Sequence, residues 1–240
     1  MTHTAVLDRY VAICRETLSQ HARAQSFLKR NGITESFIHE SFSLGYSDGN
    51  VLERVGDNEN VRSALTEVGL VAGQRESLAH CIVIPVLDEN RAIVNRVGVP
   101  IDPRRKEQII ALKDSGLFNS PFLRHVEELV VTERPMQALL LIQQGIDNAT
   151  FLPSERETVE SFVREHSIKS VVFTFEGSER SFYELTSTGV SCRRVEIDFA
   201  MLAERPETID LAGVIAGTVD DYPDSNDTIQ EIENGFLFRF

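Results

Sequence analysis

The chain has 240 residues, 42% of them apolar and 25% charged, which suits a globular protein with a buried core, and no run of about 18 apolar residues predicts a membrane span. The formal net charge of −13 is unevenly placed: residues 1–120 hold 14 basic against 15 acidic side chains, whereas residues 121–240 hold 10 against 22. A field of that sign works against nucleic-acid binding driven by counterion release and leaves room only for a local basic stripe. In chain order, Leu7, Tyr10, Val11, Cys14 and Leu18 recur at three- and four-residue steps and predict an amphipathic helix over 6–20. A second helix over about 22–31 stops at Asn31-Gly32, a third short one starts at Thr34-Glu35, and 58–69 is helical up to Gly69. Gly45 and Gly49 mark a loop.

The pattern then changes to strands. Residues 81–86 and 92–94 are β-rich on either side of Asp88-Glu89-Asn90, which predicts a hairpin. Pro100, Pro103 and the basic group Arg104-Arg105-Lys106 mark a loop. From 126 strands and helices alternate: strand 128–132, helix 135–144 closed by Gly145, strand 149–152, then helix 154–166 with a capping box of Ser154 and Glu157. They continue as strand 170–175, helix 178–188 up to Gly189, and a short strand over 195–198. Alternation of this kind predicts a mostly parallel sheet. The fold class expected is α/β: an α+β N-terminal region over 1–125, a parallel-sheet region over 126–200, and an acidic C-terminal segment over 201–240 whose 218–228 stretch reads as a loop.

Glu133-Arg134-Pro135-Met136-Gln137, preceded by Leu-Val-Val-Thr and followed by Gln144-Gly145-Ile146, resembles the first half of a Toprim domain. The usual form there is an apolar strand, then Glu-Gly-x-x-Asp, then a helix. The run from Val171 to Phe175 and then Glu176-Gly177-Ser178 resembles the second Toprim motif, an apolar strand ending in Asp-x-Asp. Upstream, Phe27 to Ile33, Phe42 to Tyr46, Leu65 to Leu70 and Ile82 to Glu89 occur in the order seen in bacterial-type DNA primase cores. The chain thus resembles the catalytic core of that family over residues 6–200. The family's zinc-binding module would precede this region and its helicase-binding module would follow it, so no zinc is expected here. Cys14, Cys81 and Cys192 are likewise too scattered for a zinc site. No signal peptide is read at the N-terminus, and a cytoplasmic location is expected.

The resemblance implies metal-dependent nucleotidyl transfer, in which clustered carboxylates hold Mg²⁺ or Mn²⁺ against the phosphates. Here Glu133 keeps the first acid, Gln137 stands where the next is usual, Glu176 replaces the first Asp of the pair and Ser178 the second. Glu133 and Glu176 are therefore the candidate catalytic and metal-holding residues, with Mg²⁺ or Mn²⁺ held weakly. Glu133 can equally be an acid placed at a helix N-terminus by the dipole. The family's Arg-rich strand is replaced by Ser77, Ala79 and Cys81, which leaves Arg91, Arg96, Arg104, Arg105 and Lys106 as candidate nucleic-acid or nucleotide contacts. Arg134 can neutralise Glu133, touch a phosphate or sit in solvent. His80, His125 and His166 are expected at the surface or at helix ends. The function expected is a primase-like protein with an eroded metal site, an accessory or non-catalytic subunit with a protein partner in replication or mobile-element DNA metabolism. The alternatives are a divergent active primase, or a Toprim phosphotransferase or nuclease.

Overall fold

A computed structural model describes residues 3–55, 58–102, 104–105, 110–111, 116–151, 157–175 and 179–217. Helix α1 (His3–Gln20) buries the apolar face read from the sequence, Val6, Leu7, Tyr10, Val11, Cys14 and Leu18. Helix α2 (Ala22–Arg30) starts where His21 Nδ1 accepts the Ala24 N–H at 3.1 Å and ends at Asn31-Gly32. Gly32 is required there for two reasons. Its φ of +76° lies in the left-handed region, and a Cβ would sit 2.8 Å from the Cα of Ala203 and 3.0 Å from Leu140 Cδ1. Helix α3 (Ser36–Ser41) follows. The stretch expected as loop around Gly45 contains a three-residue strand, β1 (Gly45–Ser47), and then α4 (Val51–Val55). Helix α5 (Glu59–Glu67) precedes a two-stranded ribbon, β2 (Val71–Ala72) and β3 (Arg75–Glu76).

The expected hairpin is present as β4 (Cys81–Leu87) and β5 (Ile93–Pro100), the second strand running six residues further than its apolar signal. Together with β1 and β6 (Ile110–Ala111) they form an antiparallel sheet in the order β1-β4-β5-β6. Strand β4 is buried on both faces, and its side chains alternate between two cores. Cys81 and Val83 pack with α1 and α5; Ile82, Ile84 and Val86 pack with α2, α3 and the C-terminal region.

After α6 (Ser120–Leu123), the chain builds β7 (Glu128–Thr132), α7 (Pro135–Gln143), β8 (Ala149–Phe151), α8 (Glu157–Glu165), β9 (Ser170–Phe173), α9 (Glu179–Ser187) and β10 (Ser191–Arg194). The four strands are parallel, in the order β10-β9-β7-β8. Residues 195–198 are not a strand. The edge strand lies four residues earlier, and Asp198 instead accepts the Met201 N–H at 2.9 Å and caps α10 (Phe199–Glu204). A 3-10 turn (Pro206–Thr208) and α11 (Leu211–Ala216) complete the described chain. The Ser154 cap, Glu176 to Ser178, Lys106 and the 218–228 tail lie outside the described residues.

Period-two alternation divides this sheet as well. Leu129, Val131, Val171 and Phe173 pack with α8 and α9, while Val130 and Val172 pack with α7 and the N-terminal region. Helix α7 is thus the layer between the two sheets, and one core runs from Leu28 through Ile84 to Leu139 and Leu202. A polar pin reinforces the seam. Gln143 Oε1 accepts the N–H groups of Thr34 and Glu35 at 2.9 and 3.1 Å, and its Nε2 donates to Gly32 O at 2.7 Å.

Candidate functional site

Strand order fixes where a ligand would be expected. The chain passes from β7 out to β8 and then returns across β7 to β9, so the direction of winding reverses between β7 and β9. In open parallel sheets ligands collect at the carboxyl ends of strands at such a point. Glu133 directly follows β7, and Thr174 and Phe175 follow β9, its hydrogen-bonded neighbour. The Thr174 N–H donates to Val131 O at 3.0 Å, which holds the two strand ends together. Glu176, the expected companion of Glu133, follows two residues later, outside the described residues.

The side chains at the end of β7 are occupied in ways that do not favour a cation. The Glu133 carboxylate is 58% exposed and stands 3.9 Å from Arg134 Nε, a long, solvated ion pair. Gln137 is the third residue of α7, and its Oε1 accepts the Arg134 N–H at 3.1 Å. It thus satisfies an N-terminal donor as the far half of a capping box would. A hard divalent ion of the two-metal kind needs several carboxylates converging within a few ångströms. Among the described residues no three His, Cys, Asp or Glu side chains are gathered for one. The described donor set, one exposed carboxylate beside a guanidinium and an engaged amide, does not fit such an ion.

The five basic candidates are scattered. Arg91 lies at the hairpin tip with its guanidinium 5.4 Å from the Phe122 ring centroid. Arg96 requires correction as a surface contact. It is only 1% exposed, lies under the N-terminal layer and donates from Nη2 to Val68 O at 2.8 Å, with Nε and Nη1 lacking a hydrogen-bond partner among the described residues. Burial pushes its guanidinium down to about 10, and the nearby Tyr10 opposes that shift. Arg104 grips Asp102 with two bonds, Nη2 to Oδ2 at 2.9 Å and Nε to Oδ1 at 3.1 Å. Those hydrogen bonds hold the Asp102 carboxyl at about 2. Arg105 donates from Nη1 to Ala79 O at 3.0 Å, which places a cation beside the segment where the primase pattern has arginines and this chain has Ser77, Ala79 and Cys81. Lys106 is outside the described residues. His80 and His125 are exposed as expected. The His166 side chain is only 11% exposed, stacked on Phe162 and 2.8 Å from Glu89 Oε1 of the hairpin turn.

Of the five basic candidates only Arg105 joins the basic groups that do come together. A cleft of about 920 Å³ opens at the seam, walled by α2, the end of β5, the start of α7 and α10. Arg23, Arg30, Arg105 and Arg134 line it, and Asp102 is the one carboxylate among its described lining residues. Arg23 and Arg30 lie seven residues apart and therefore share a helix face with Phe27. That spacing was the available signal in the sequence.

No protein-family model matches the sequence, and no curated protein matches it either. Solved structures do. The zinc-binding and RNA polymerase domains of Aquifex aeolicus primase superpose with a TM-score of 0.76 at 18% identity, over 98% of this chain and 66% of that one. The Escherichia coli primase catalytic core gives 0.72 at 14% identity, over 98% and 90%. The RNA polymerase domain of Mycobacterium tuberculosis primase bound to double-stranded DNA gives 0.70 at 14% identity, over 89% and 80%. The fold is that of a bacterial primase core. Nearly the whole chain is covered. The chain spans about two thirds of the Aquifex structure. No described helix is long and apolar enough to cross a membrane.

Proposed function

We propose that this chain is a primase-like protein whose Toprim metal centre is eroded, and that it serves as a non-catalytic or accessory subunit, with a protein partner, in DNA replication or mobile-element DNA metabolism. The fold supports the primase-related part. The observation that carries the rest is the state of Gln137. At the position where the resemblance expects the acid next after Glu133, this chain has an uncharged amide whose oxygen is already engaged by the Arg134 N–H. Beside it, Arg134 replaces a glycine of the usual pattern and brings a cation to 3.9 Å from Glu133. Both changes lower the negative charge that a phosphoryl-transfer site uses to hold its metals. The acidity of residues 121–240 adds repulsion toward a template strand.

The test is primer synthesis on single-stranded DNA with Mg²⁺ and with Mn²⁺, using the purified chain and a Glu133→Ala control. No synthesis above the control is expected from the chain alone. Robust synthesis that disappears in Glu133→Ala would overturn the reading and restore a working metal centre. Synthesis that appears only on adding a partner protein, and that survives Glu133→Ala, would place the chain as an accessory subunit.

A further inference from the structure

The seam cleft carries a charge opposite in sign to the chain that forms it. Arg23, Arg30, Arg105 and Arg134 line it, and Asp102, the one carboxylate among its described lining residues, is already held by two hydrogen bonds from Arg104. Arg23 and Arg30 are exposed on α2, where any polar residue would serve the helix. Like charges gathered on one concavity repel each other, so the fold gains nothing from this arrangement unless an anion faces it. Between the arginines the lining is apolar, with Phe27, Met136 and Phe199. The same chain holds a segment of the matching character. Residues 218–240 carry Asp220, Asp221, Asp224, Asp227, Glu231 and Glu233 against one base, Arg239, and add the apolar run Phe236-Leu237-Phe238. They follow α11, whose Leu211 and Ile215 share a core with Ile101, Met136 and Leu140 of the cleft wall.

We infer that residues 218–240 dock into the seam cleft of their own chain and occlude it. Their carboxylates pair with the guanidinium forks, and the aromatic run covers the apolar lining between the arginines. Reach is no obstacle. Fully extended, the segment spans about 70 Å at about 3.3 Å per residue, against a radius of gyration of roughly 17 Å for a body of this size. Attachment to α11 makes the encounter intramolecular, at an effective concentration on the order of millimolar, so that individually weak contacts suffice. A separate acidic partner would have to compete with that concentration and would meet the repulsion of a chain whose net charge is −13. This inference goes beyond the proposed function and does not depend on it, since neither Glu133 nor a metal enters it.

The experiment attaches a nitroxide to the full chain at Ser225→Cys and reads which backbone amide NMR signals it broadens. A Cys192→Ser background keeps the label in place, because Cys14 and Cys81 are buried. Loss of signal intensity is expected in α2, at the start of α7 and in α10, which wall the cleft. Helix α8 packs on the opposite face of the parallel sheet and should keep its intensity. The loss should disappear in Arg23→Glu/Arg30→Glu. It should also disappear in Asp220→Asn/Asp221→Asn/Asp224→Asn, a set that leaves residues 3–217 unchanged and so tests the contact from the other side. No broadening at the cleft, or broadening that survives either set of substitutions, would overturn the inference. So would broadening carried between molecules, seen when spin-labelled chain is mixed with isotope-labelled chain that has no nitroxide, which would assign the contact to a second copy.

Discussion

The two sheets of this molecule have opposite interiors. Around the antiparallel sheet, the core holds Ser47, Glu76, Asn95 and Arg96, all at most 8% exposed. The parallel sheet buries aliphatic and aromatic side chains, and among the described residues the buried polar groups on its strands and strand ends are the hydroxyls of Thr132, Thr150 and Thr174, each of which donates to a backbone carbonyl. Buried charge costs free energy unless it is partnered, so the N-terminal region is held by specific pairings and the C-terminal region by apolar packing. The region whose sequence resembles a Toprim domain thus has the less charged interior of the two. The charge that a ligand could use lies at the seam between them.

The sharpest way to break this contrast is at Glu76. Its two oxygens accept from Ser47 Oγ at 3.0 Å and from Leu52 N at 3.1 Å. Glu76→Ala strands both donors in a buried setting and should destabilise the fold by about 3 kcal/mol, read from the urea midpoint. A loss below about 1 kcal/mol would mean that the N-terminal core is not held by this pairing.

Alkaline pH should act on the same region. Burial pushes the Cys14 thiol up to about 12 and raises the neighbouring Tyr10 phenol well above its ordinary range. Both groups keep their protons in the folded state at pH values where the unfolded chain releases them. Stability is therefore fully present below the unfolded thiol's value of about 8.5 and is lost as pH rises toward the folded one, by about 1.4 kcal/mol per pH unit for each proton. Unfolding free energies measured from pH 8 to 11 should fall, and Cys14→Ala should flatten the slope. A flat profile in the parent chain would contradict the burial of this pair.

In the parallel sheet the matching test is milder. Thr150 Oγ1 donates to Phe118 O at 2.7 Å, and Thr150→Val should cost about 1 kcal/mol, the worth of one neutral hydrogen bond. A cost as large as that of Glu76→Ala would erase the distinction between the two interiors. The smallest effect is expected at Gln137→Glu. Glutamate makes the same capping bond and suits a helix N-terminus, so the urea midpoint should move by no more than about 0.5 kcal/mol. A larger loss would show that the amide's Nε2 donor has a structural role.

Much of this architecture was legible in the sequence because it rests on apolar periodicity. The long runs at 81–86, 128–132 and 170–175 became central strands, and Leu7 to Leu18 became the buried face of α1. What was missed lacks that signal. Gly45-Tyr46-Ser47 is too short and too mixed to read as a strand, yet it pairs with β4. The edge strand Ser191–Arg194 has no residue that is fully buried, so its neighbour Val195, which is, drew the assignment downstream. Arg96 looked like a surface cation because its partner is a backbone carbonyl, at Val68, that no side-chain pattern announces. The cleft was hidden for a related reason. Its arginines come from residues 23, 30, 105 and 134, and only the first two share an element.

The Gln143 pin has a consequence for how the molecule comes into being. The turn after α2 is finished by a side chain more than a hundred positions downstream, which accepts from Thr34 and Glu35 and donates to Gly32. At ordinary synthesis speeds of about 5–20 residues per second, that side chain is made on the order of ten seconds after the turn it completes. During that interval water must serve the three backbone groups. The core that α1 and α5 share with Cys81 and Val83 lies wholly within the first hundred residues, whereas the turn between α2 and α3 is completed only on the arrival of α7.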